Sequence, residues 1–569
     1  MVRCGISAGC AALLGGAVDA VVFGIATANP RNQGWLWAVH VDPVQLWLGW
    51  SFFRRAPWGL PPGANPDYGL ELGTAIYFAD AIPLLALPLK ALRGVLEVPQ
   101  YVGAWLLACG VLQGLLGWLL VGLATRNPLA RACGAGLLVL QPMLIHRMLG
   151  HTPLAGQWTL LAALLLALGH GRGRRQGLAW AVLLGVTGLV HSYLLAMVML
   201  LWAADWLRRF RSGPDRAGLV AEAAAGTGSV LAALWAAGFF LLRGGYNTGP
   251  GHEWGSYGSW GFDLLGFLDG GAWSAILPDL PDPGHWEAGS SYLGLGGLLL
   301  LLAGALALLR RPSPLPRRLW PLAGALLLLL AFAVTHRPAI AGHAWTAFTP
   351  SARVLSALEL LRNSERMVWP LAYALMLGSV AAAARAWGGR RTGLLLLALL
   401  ALQWADLGPG LVERHRAFAA APAGVPQRLS DPFWTDAART YARLRAVPAA
   451  NLGEGWEALA PFAASAGLPT DAIYMARVDP AAVQALRVKV AAILASGAYE
   501  PGTLYVLRDE ASLALARATH DAARDLILQA DTLWVLAPGW CAGHRRAGCS
   551  AEDSTPGGHT TGGKAGRPE

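Results

Sequence analysis

A single acid stands at the start of the aromatic stretch HVDPVQLWLGWSFFRRAPW, which runs from His40 to Trp58. Asp42 is followed by a proline and then by four aromatic residues, and Arg54 and Arg55 lie near the end of the stretch. A positioned carboxylate can take a proton from a hydroxyl group, and guanidinium groups bind anions such as phosphate. The stretch therefore combines a candidate general base with candidate anion ligands.

The same stretch also fits a purely structural interpretation. Aspartate is a good N-cap residue, and proline is tolerated at the first helical position. The two arginines would complement the helix dipole at the other end. Leu46, Trp50 and Phe53 fall on one face at helical spacing, which predicts an amphipathic helix that starts at Asp42 and lies flat on the outer leaflet.

Composition places the chain among membrane proteins. Of its 569 residues, 55% are hydrophobic and only 14% are charged, whereas soluble domains carry about 25% charged residues. The mean hydropathy is +0.44, and apolar runs long enough to cross a bilayer recur along the chain. We therefore expect a mainly α, polytopic transmembrane helical bundle of about 11–13 membrane segments.

The net charge of +10 is carried mostly by arginine. In a membrane protein this excess indicates orientation and contact with membrane lipid head groups, and no motif predicts a nucleic-acid partner. Four basic clusters fit the cytoplasmic side, at residues 171–176, 207–216, 310–318 and 385–391. The positive-inside rule then predicts extracytoplasmic loops at residues 29–74, 244–291 and 335–366.

The first apolar run covers residues 6–28 and follows Arg3. Its end, Ala-Thr-Ala, resembles a signal cleavage site, but the run is long for a signal peptide and more spans follow. We expect a retained first span with a cytoplasmic N-terminus. Asp19 lies within this run, where a carboxylate costs about 2.5–3.5 kcal/mol on insertion scales. We therefore expect Asp19 to face the bundle beside a polar partner.

The segment Gln176–Leu207 does not fit simple alternation of spans. It begins and ends at basic clusters but is short for two full spans, and His191 lies at its middle. Two half-length helices that meet within the membrane would satisfy the charges. Such a break is tolerated where the free backbone is buried in protein or lines a wet cavity.

The character of the chain changes after the last long apolar run. We expect a transmembrane domain at residues 1–407, a small extracytoplasmic α/β domain at 408–549 and a disordered tail at 550–569. In the α/β domain, helices are predicted at 431–445, 480–495 and 509–524, and strands at 472–478, 503–507 and 532–536. The sheet is expected to be at least partly parallel.

Cysteine usage indicates one possible crosslink and no metal centre. Cys541 and Cys549 bracket a short loop of the domain placed outside, and in an oxidising compartment they could form a disulfide bond. The sequence contains no CxxC motif and no cluster of histidine and cysteine residues, so no metal ligands are assigned.

Further candidates for anion binding lie between apolar runs on the side predicted to be outside. Arg147 and Arg366 are candidate phosphate ligands, with His146 and His151 as secondary choices. Taken singly, each arginine is better explained as a plain interfacial anchor. Asp80 is a candidate second catalytic acid or a helix cap.

The outer loop at residues 244–291 is rich in aromatic residues and also carries Glu287. Sugars stack on aromatic faces, so this loop is a candidate groove for an acceptor. An interfacial aromatic belt explains the same residues.

Several longer motifs resemble a poorly characterised bacterial family of polytopic membrane proteins. They cover most of the membrane part and, more weakly, APGWC near the C-terminus. The motifs are GWSFFRRAPW, the segment from Trp58 to Lys90 with Asp67, Glu71 and Asp80, IHRMLGHTPLAGQW, EAGSSYLG and LRNSERMVWPLAY.

The expected architecture in turn resembles the GT-C superfamily of membrane glycosyltransferases. The resemblance implies a lipid-linked sugar donor, a glycan, lipid or protein acceptor, and an acid in the first outer loop that activates the acceptor. Asp42 stands at the matching place. Many members have two adjacent acids there, whereas this chain has Val41-Asp42-Pro43, which leaves both the role of Asp42 and a divalent metal open. The implied location is the bacterial cytoplasmic membrane, with the C-terminal domain in the periplasm.

Two other functional classes of membrane protein also fit the sequence. A transporter would use broken helices and intramembrane acids such as Asp19, although no internal repeat is evident. A non-catalytic protein of envelope polysaccharide assembly would use the outer domain for binding. The sequence lacks a Walker loop, a dinucleotide fingerprint and a Gly-x-Ser-x-Gly elbow, which argues against ATP-driven transport within this chain and against hydrolase chemistry of that type.

Overall fold

A computed structural model describes residues 2–38, 42–169, 171, 173–213, 215–242, 257–282, 289–422 and 424–543. The chain divides into two compact units. The first unit comprises Met1–Pro66, Gly73–Pro426 and Met475–Pro480, and the second comprises Asp67–Leu72, Gln427–Tyr474 and Ala481–Glu569. The predicted boundary after residue 407 falls inside the last long helix of the first unit, which ends at Ala419.

The first unit is helical. Its helices are α1 Val2–Phe23, α2 Asp42–Phe53, α3 Pro83–Ala91, α4 Val102–Ala124, α5 Pro128–Val139, α6 Pro142–Leu149, α7 Trp158–Leu168, α8 Gly173–Gly188, α9 Ser192–Ser212, α10 Arg216–Ala236, α11 Gly294–Arg310, α12 Trp320–Val334, α13 Ala352–Leu358 and α14 Trp369–Ala419. Two short antiparallel strands, β1 Ala339–Ile340 and β2 His343–Ala344, precede α13. Helix α14 is interrupted at Gly388, whose φ of 78° breaks the helical conformation.

Within the described residues, five helices are long and apolar enough to cross a membrane. The number rises to six if α5 and α6, which are bent by 48° at their junction, form one broken span. Two shorter apolar segments, Thr152–Leu168 and Gly294–Arg310, fall below 18 residues. The chain is therefore a helical membrane protein, as predicted, but helix length supports fewer spans than the expected 11 to 13.

Small residues allow the helices of the first unit to approach closely. A Cβ atom on Gly15 of α1 would lie 2.0 Å from the carbonyl oxygen of Gly110 on α4, and one on Gly103 would lie 2.0 Å from that of Thr27. Association of helices in lipid depends on this close packing, because burial of apolar surface provides no driving force there.

Buried amide and hydroxyl groups also link helices that are distant in sequence. Gln113 of α4 donates to the hydroxyl of Tyr373 at 2.8 Å, and that hydroxyl donates to Gln157 at 2.6 Å. Gln403 of α14 donates to the carbonyl oxygens of Leu140 and Leu293 at 2.7 and 3.1 Å. These bonds fix the positions of α4, α11 and α14 relative to one another.

Helix α2 corrects one expectation about the first loop. The helix begins at Asp42, as predicted, but all of its residues are buried inside the protein. It is therefore a packed core helix, and it does not lie flat on the membrane surface. In the segment Gln176–Leu207 two helices meet around His191, as predicted, but α8 and α9 have 16 and 21 residues and are longer than the expected half-length helices.

The second unit is a small α/β domain. Its elements are α15 Pro432–Thr440, β3 Arg443–Val447, α16 Trp456–Ala466, α17 Pro480–Ser496, β4 Thr503–Leu507, α18 Glu510–Thr519, β5 Leu526–Ala530, β6 Leu533–Ala537 and α19 Trp540–Gly543. The sheet order is β3-β4-β6-β5, with β3 and β4 parallel and the other pairs antiparallel. The core of this domain contains Phe433, Leu444, Val506 and Trp540.

Three predicted elements of the second unit need correction. The helix expected at 431–445 ends at Thr440, because residues 443–447 pair with β4 as strand β3. The strand expected at 472–478 is replaced by irregular chain with one isolated bridge at Ile473. The helix expected at 509–524 ends at Thr519. The predicted tail at 550–569 lies outside the described residues.

Candidate functional site

Two acids and a histidine from three separate parts of the first unit come together in its interior. Nδ1 of His151 lies 3.0 Å from Oδ2 of Asp42 and 3.9 Å from Oδ2 of Asp80. Asp42 is 2% exposed and Asp80 is 8% exposed. We call Asp42, Asp80 and His151 the carboxylate–histidine cluster.

A second histidine adjoins the cluster from the start of α9. Nε2 of His191 lies 4.0 Å from Oδ1 of Asp80, while Nδ1 of His191 accepts a hydrogen bond from the backbone N–H of Tyr193 at 3.2 Å. Because Nδ1 is the acceptor, the proton of the neutral ring resides on Nε2, which points toward Asp80. Burial, followed by the charge of Arg366, holds the pKa of His191 well below its usual value, so this ring is neutral at pH 7.

Burial also lowers the pKa of His151, although the neighbouring Asp42 acts in the opposite direction. A neutral imidazole carries one N–H group, and Nδ1 of His151 lies 3.0 Å from Oδ2 of Asp42. His151 therefore lies directly against the Asp42 carboxylate.

Asp80 has a strongly perturbed pKa. Burial, followed by the charge of Asp42, raises the pKa of Asp80 from 3.8 to about 7, while Arg366 and Arg477 act to lower it. A buried acid whose pKa is raised by burial and by a neighbouring acid is typical of sites that carry out proton transfer.

Three arginines act on the cluster through their charge. Arg147 is fully buried and Arg366 is 3% exposed, and the charges of both lower the pKa of His151. The guanidinium of Arg366 lies 5.0 Å from the centre of the Tyr193 ring. Arg477 donates to the backbone carbonyl of Leu360 at 3.0 Å. Buried arginines beside carboxylates make the site suited to a ligand that carries an anionic group.

Hydrogen bonds to the backbone position the loop that carries Asp80. The side chain of Gln45 in α2 donates to the carbonyl of Phe78 at 3.1 Å, and the N–H of Ala476 donates to the same oxygen at 2.7 Å. The hydroxyl of Tyr101, the residue that precedes α4, donates to the carbonyl of Ala81. Helix α2 and the loop pack so closely that a Cβ on Gly49 would lie 2.4 Å from the Cβ of Ala79.

Three of the eight described non-glycine residues with positive φ lie at this site. Asp80, Ile82 and His151 have φ angles of 52°, 44° and 50°. The left-handed region costs a residue with a side chain about 1–2 kcal/mol. Strain of this kind persists where the surrounding structure imposes it, and it is common at functional sites. The strained residues are those that aim Asp80 and His151 at each other.

The other predicted residues are distributed differently. Arg54 lies 3.7 Å from Glu97, and Arg55 is exposed. His146 makes an edge contact with the Trp273 ring at 6.3 Å between centroids.

Two more predicted residues lie outside the described residues. Glu287 is one of them, so its place relative to the cluster stays a prediction. Cys549 is the second of these residues. Cys541 takes part in a disulfide bond, and its pairing with Cys549 stays a prediction.

A divalent cation at the carboxylate–histidine cluster, which the resemblance leaves open, stays a prediction. The described residues contain one group of acids with oxygens within 4.8 Å of one another, formed by Asp269, Asp279 and Asp282. In that group Asp269 accepts hydrogen bonds from the N–H groups of Gly271 and Leu280.

Sequence reasoning missed His191 and Arg477 as members of the site. His191 had one signal, because it interrupts an apolar segment that was expected to be broken. No sequence signal indicated Arg477, because its segment was predicted to be a strand of the C-terminal domain. Met475–Pro480 instead belongs to the first unit.

The raised pKa of Asp80 predicts how stability depends on pH. The unfolded chain releases the Asp80 proton near pH 4, whereas the folded protein keeps it until about pH 7. The free energy of unfolding should therefore fall as the pH rises through this window, by up to about 1.4 kcal/mol per pH unit. We expect Asp80→Asn to remove this slope and to be more stable than the wild type at pH 8. Thermal unfolding in detergent between pH 5 and 8 measures both effects.

The matched control for this experiment is Asp215→Asn, an exposed acid that caps α10. It should keep the slope of the wild type. If Asp80→Asn keeps that slope as well, the pH dependence arises elsewhere in the protein.

Comparison with known proteins identifies the family of the chain. The chain has no significant match among curated proteins. It is similar to the cryo-EM structure of a mutant of the arabinofuranosyltransferase AftD from Mycobacteria, with 18% sequence identity and a TM-score of 0.42. The match covers 88% of this chain and 41% of that one, so the chain spans less than half the length of that protein.

Two family matches cover most of the sequence. Residues 12–408 match the family described as a domain of unknown function, DUF6311, and residues 433–538 match the DUF6311 C-terminal domain. The predicted resemblance to a poorly characterised family is thus confirmed, and the chain belongs to the DUF6311 family.

Proposed function

We propose that this protein is a membrane glycosyltransferase that moves a sugar from a polyprenyl-phosphate-linked donor to an extracytoplasmic glycan, lipid or protein acceptor. One observation carries the proposal: a helical membrane protein buries two carboxylates around one histidine, with two buried arginines acting on the same group. A hydroxyl acceptor needs a base, and a phosphate leaving group needs cations.

In the proposed reaction Asp42 is the general base. Its carboxylate takes the proton of the acceptor hydroxyl as the hydroxyl oxygen attacks the anomeric carbon of the donor sugar. A new C–O bond forms, the bond between the anomeric carbon and the phosphate oxygen breaks, and the lipid phosphate leaves with the electron pair. A single displacement of this kind inverts the configuration of the anomeric carbon, as it does in glycoside hydrolysis.

His151 and Asp80 have supporting roles in this proposal. The N–H of His151 holds the carboxylate of Asp42 at 3.0 Å, which limits the orientations available to the base. Asp80 has a pKa raised to about 7, so it exchanges a proton near neutral pH and is the candidate to relay the proton away from Asp42.

Arg147 and Arg366 are the proposed ligands of the donor phosphate. Both are buried, and the charges of both reach His151. Arg54 lies 3.7 Å from Glu97, so a structural role is proposed for it, while Arg55 and His146 stay candidate ligands of the phosphate. A role for Glu287 in acceptor binding is retained as part of the proposal.

The proposal also includes the orientation of the chain. The N-terminus would be cytoplasmic, and the second unit would lie in the periplasm of a bacterium. Labelling of single introduced cysteines with an impermeant reagent in intact cells tests this placement. Labelling of a site in the second unit from outside is the expected result, and labelling only after lysis would contradict it.

The direct test of the function is transfer by the purified protein in lipid vesicles. Radiolabelled polyprenyl-phosphate sugars are supplied with membrane extracts as a source of acceptors. We expect label to move from the lipid to an acceptor, and loss of this transfer in Asp42→Asn. The proposal would be contradicted if the wild-type protein consumed none of the labelled donors with any of the available sugars and extracts.

Arg366→Gln should weaken catalysis through the donor phosphate. A hydrogen bond to a charged group contributes about 1.5–3 kcal/mol, so kcat/KM for the donor should fall by about 10- to 150-fold. The same change removes a charge that lowers the pKa of Asp80, so the midpoint of the pH profile should move upward.

The control for Arg366→Gln is Arg353→Gln, which changes an exposed arginine of α13 in the same outer segment. It should leave kcat/KM and the pH profile unchanged. Equal losses in both variants would argue for a general surface effect and against a phosphate ligand.

A further inference from the structure

A cavity separate from the carboxylate–histidine cluster lies between α1 and α4. Its volume is about 480 Å³, which is within the range of small-molecule sites, roughly 300–1,000 Å³. Its walls are small or apolar with a single exception, the carboxylate of Asp19. The lining includes Ala12, Gly16, Asp19, Ile25, Leu107 and Val111.

Asp19 is buried without the polar partner that the sequence predicted. The residue is 2% exposed, and its Oδ1 accepts no hydrogen bond within the described part of the chain. The titratable group that interacts with it is the thiol of Cys109 on α4, which offers at most a weak hydrogen bond. The carboxylate thus faces an apolar cavity, and its Oδ1 receives no hydrogen bond from the described residues.

The position of Asp19 near the C-terminal end of α1 does not stabilise the fold. It lies in the last two turns of α1, which ends at Phe23, and the helix dipole disfavours a negative charge at that end. Insertion of an acid into a span costs about 2.5–3.5 kcal/mol. Ionisable residues retained within spans at such a cost are usually functional.

The depth of Asp19 indicates what can reach it. The apolar span of α1 is Ile6–Phe23, so Asp19 lies four residues, or about 6 Å along the helix, from the end of the span. That level is close to the boundary between acyl chains and head groups, where the polar end of an amphiphile is located.

Charge selects among the possible amphiphiles. A carboxylate in an apolar wall repels a phosphate or a fatty-acid head and attracts an ammonium group, and the attraction is strong because the surroundings are poorly solvated. The apolar walls formed by Ala12, Ile25, Leu107 and Val111 suit a hydrocarbon chain. We propose that the cavity binds a membrane amphiphile whose amine head pairs with Asp19.

The test uses the full-length protein in phosphatidylcholine vesicles and three spin-labelled probes: stearylamine, stearyl alcohol and stearic acid. Electron paramagnetic resonance measures the fraction of each probe that is immobilised by the protein. We expect the amine to associate at least about fivefold more strongly than the alcohol, and the acid more weakly than both. In Asp19→Asn the preference for the amine should disappear, while the unfolding temperature stays at or above that of the wild type.

A steric pair of variants tests the cavity itself. Gly16 lines the cavity, whereas nothing lies within 4 Å of a Cβ on Gly9 of the same helix. Gly16→Leu should fill the space and reduce immobilisation of the amine to the level of bulk lipid, and Gly9→Leu should bind the amine as the wild type does. Equal immobilisation of amine and alcohol by the wild type, or an unchanged preference in Asp19→Asn, would overturn the proposal. Sugar transfer is not measured, so the outcome is independent of the proposed function.

Discussion

Replacement of Asp42 by asparagine should lower the rate of sugar transfer by about 10²–10⁴-fold, which is the usual contribution of a general base. Asparagine keeps the shape of the side chain and can still accept the hydrogen bond from His151, but it cannot take a proton from the acceptor. Asparagine is as favourable as aspartate at the start of a helix, so a change in the first turn of α2 does not explain the result. Transfer rates of purified wild type and variant, measured in vesicles at saturating donor, provide the comparison.

The control is Asp215→Asn, which makes the same chemical change at an exposed helix cap. It should keep full activity. The unfolding temperature of Asp42→Asn should stay within a few degrees of the wild type, because the variant keeps the buried contact. An Asp42→Asn protein that folds and still transfers sugar at the normal rate would remove Asp42 from the mechanism and would favour a non-catalytic role for the protein.

Replacement of Arg445 by methionine should destabilise the second unit by about 3–5 kcal/mol, the usual effect of removing one member of a buried ion pair. Arg445 lies on β3 with its side chain fully buried. It donates to Asp471 at 3.2 Å, to Glu500 at 2.6 Å and to Glu71 at 2.7 Å. Without the guanidinium, the buried carboxylate of Asp471 loses its compensating charge.

Hydrogen–deuterium exchange of the full-length protein measures this change where it occurs. Amides of β3 and β4 should exchange at least about 10²-fold faster in Arg445→Met. The matched control is Arg443→Met, two residues earlier on the same strand, whose side chain is 42% exposed and lies 3.7 Å from Glu500. That pair should contribute less than about 1 kcal/mol. Similar exchange rates in the two variants would show that burial of the ion pairs is not what stabilises the sheet.

Local sequence patterns predicted those elements whose determinants lie within one short segment. The Asp-Pro pair marks the first residue of α2, and the periodicity after Pro480 predicts α17 to within one residue of its observed end. The strand predicted at 503–507 has the observed bounds of β4. Apolar length likewise identified a helical membrane protein. In each case the information, a cap, a hydrophobic period or a run length, is contained in consecutive residues.

Predictions were wrong where a distant partner decided the local structure. Residues 443–447 continue a helical pattern, but parallel pairing with β4 makes them strand β3. The periodicity of apolar and aromatic residues in α2 predicted one solvent-exposed face. Neighbouring segments such as the Asp80 loop instead bury the helix on every side. Local propensities differ by less than about 1 kcal/mol per residue, so burial and strand pairing override them.

The sequence by itself predicted five residues of the candidate site, since Asp42, Asp80, His151, Arg147 and Arg366 all stood out by type and context. Only the tertiary structure decided that Asp42, Asp80 and His151 meet, that His191 joins them and that Arg54 lies beside Glu97. The reason is physical: a contact of 3.0 Å between residues 42 and 151 depends on how separate helices pack. No local pattern encodes that packing.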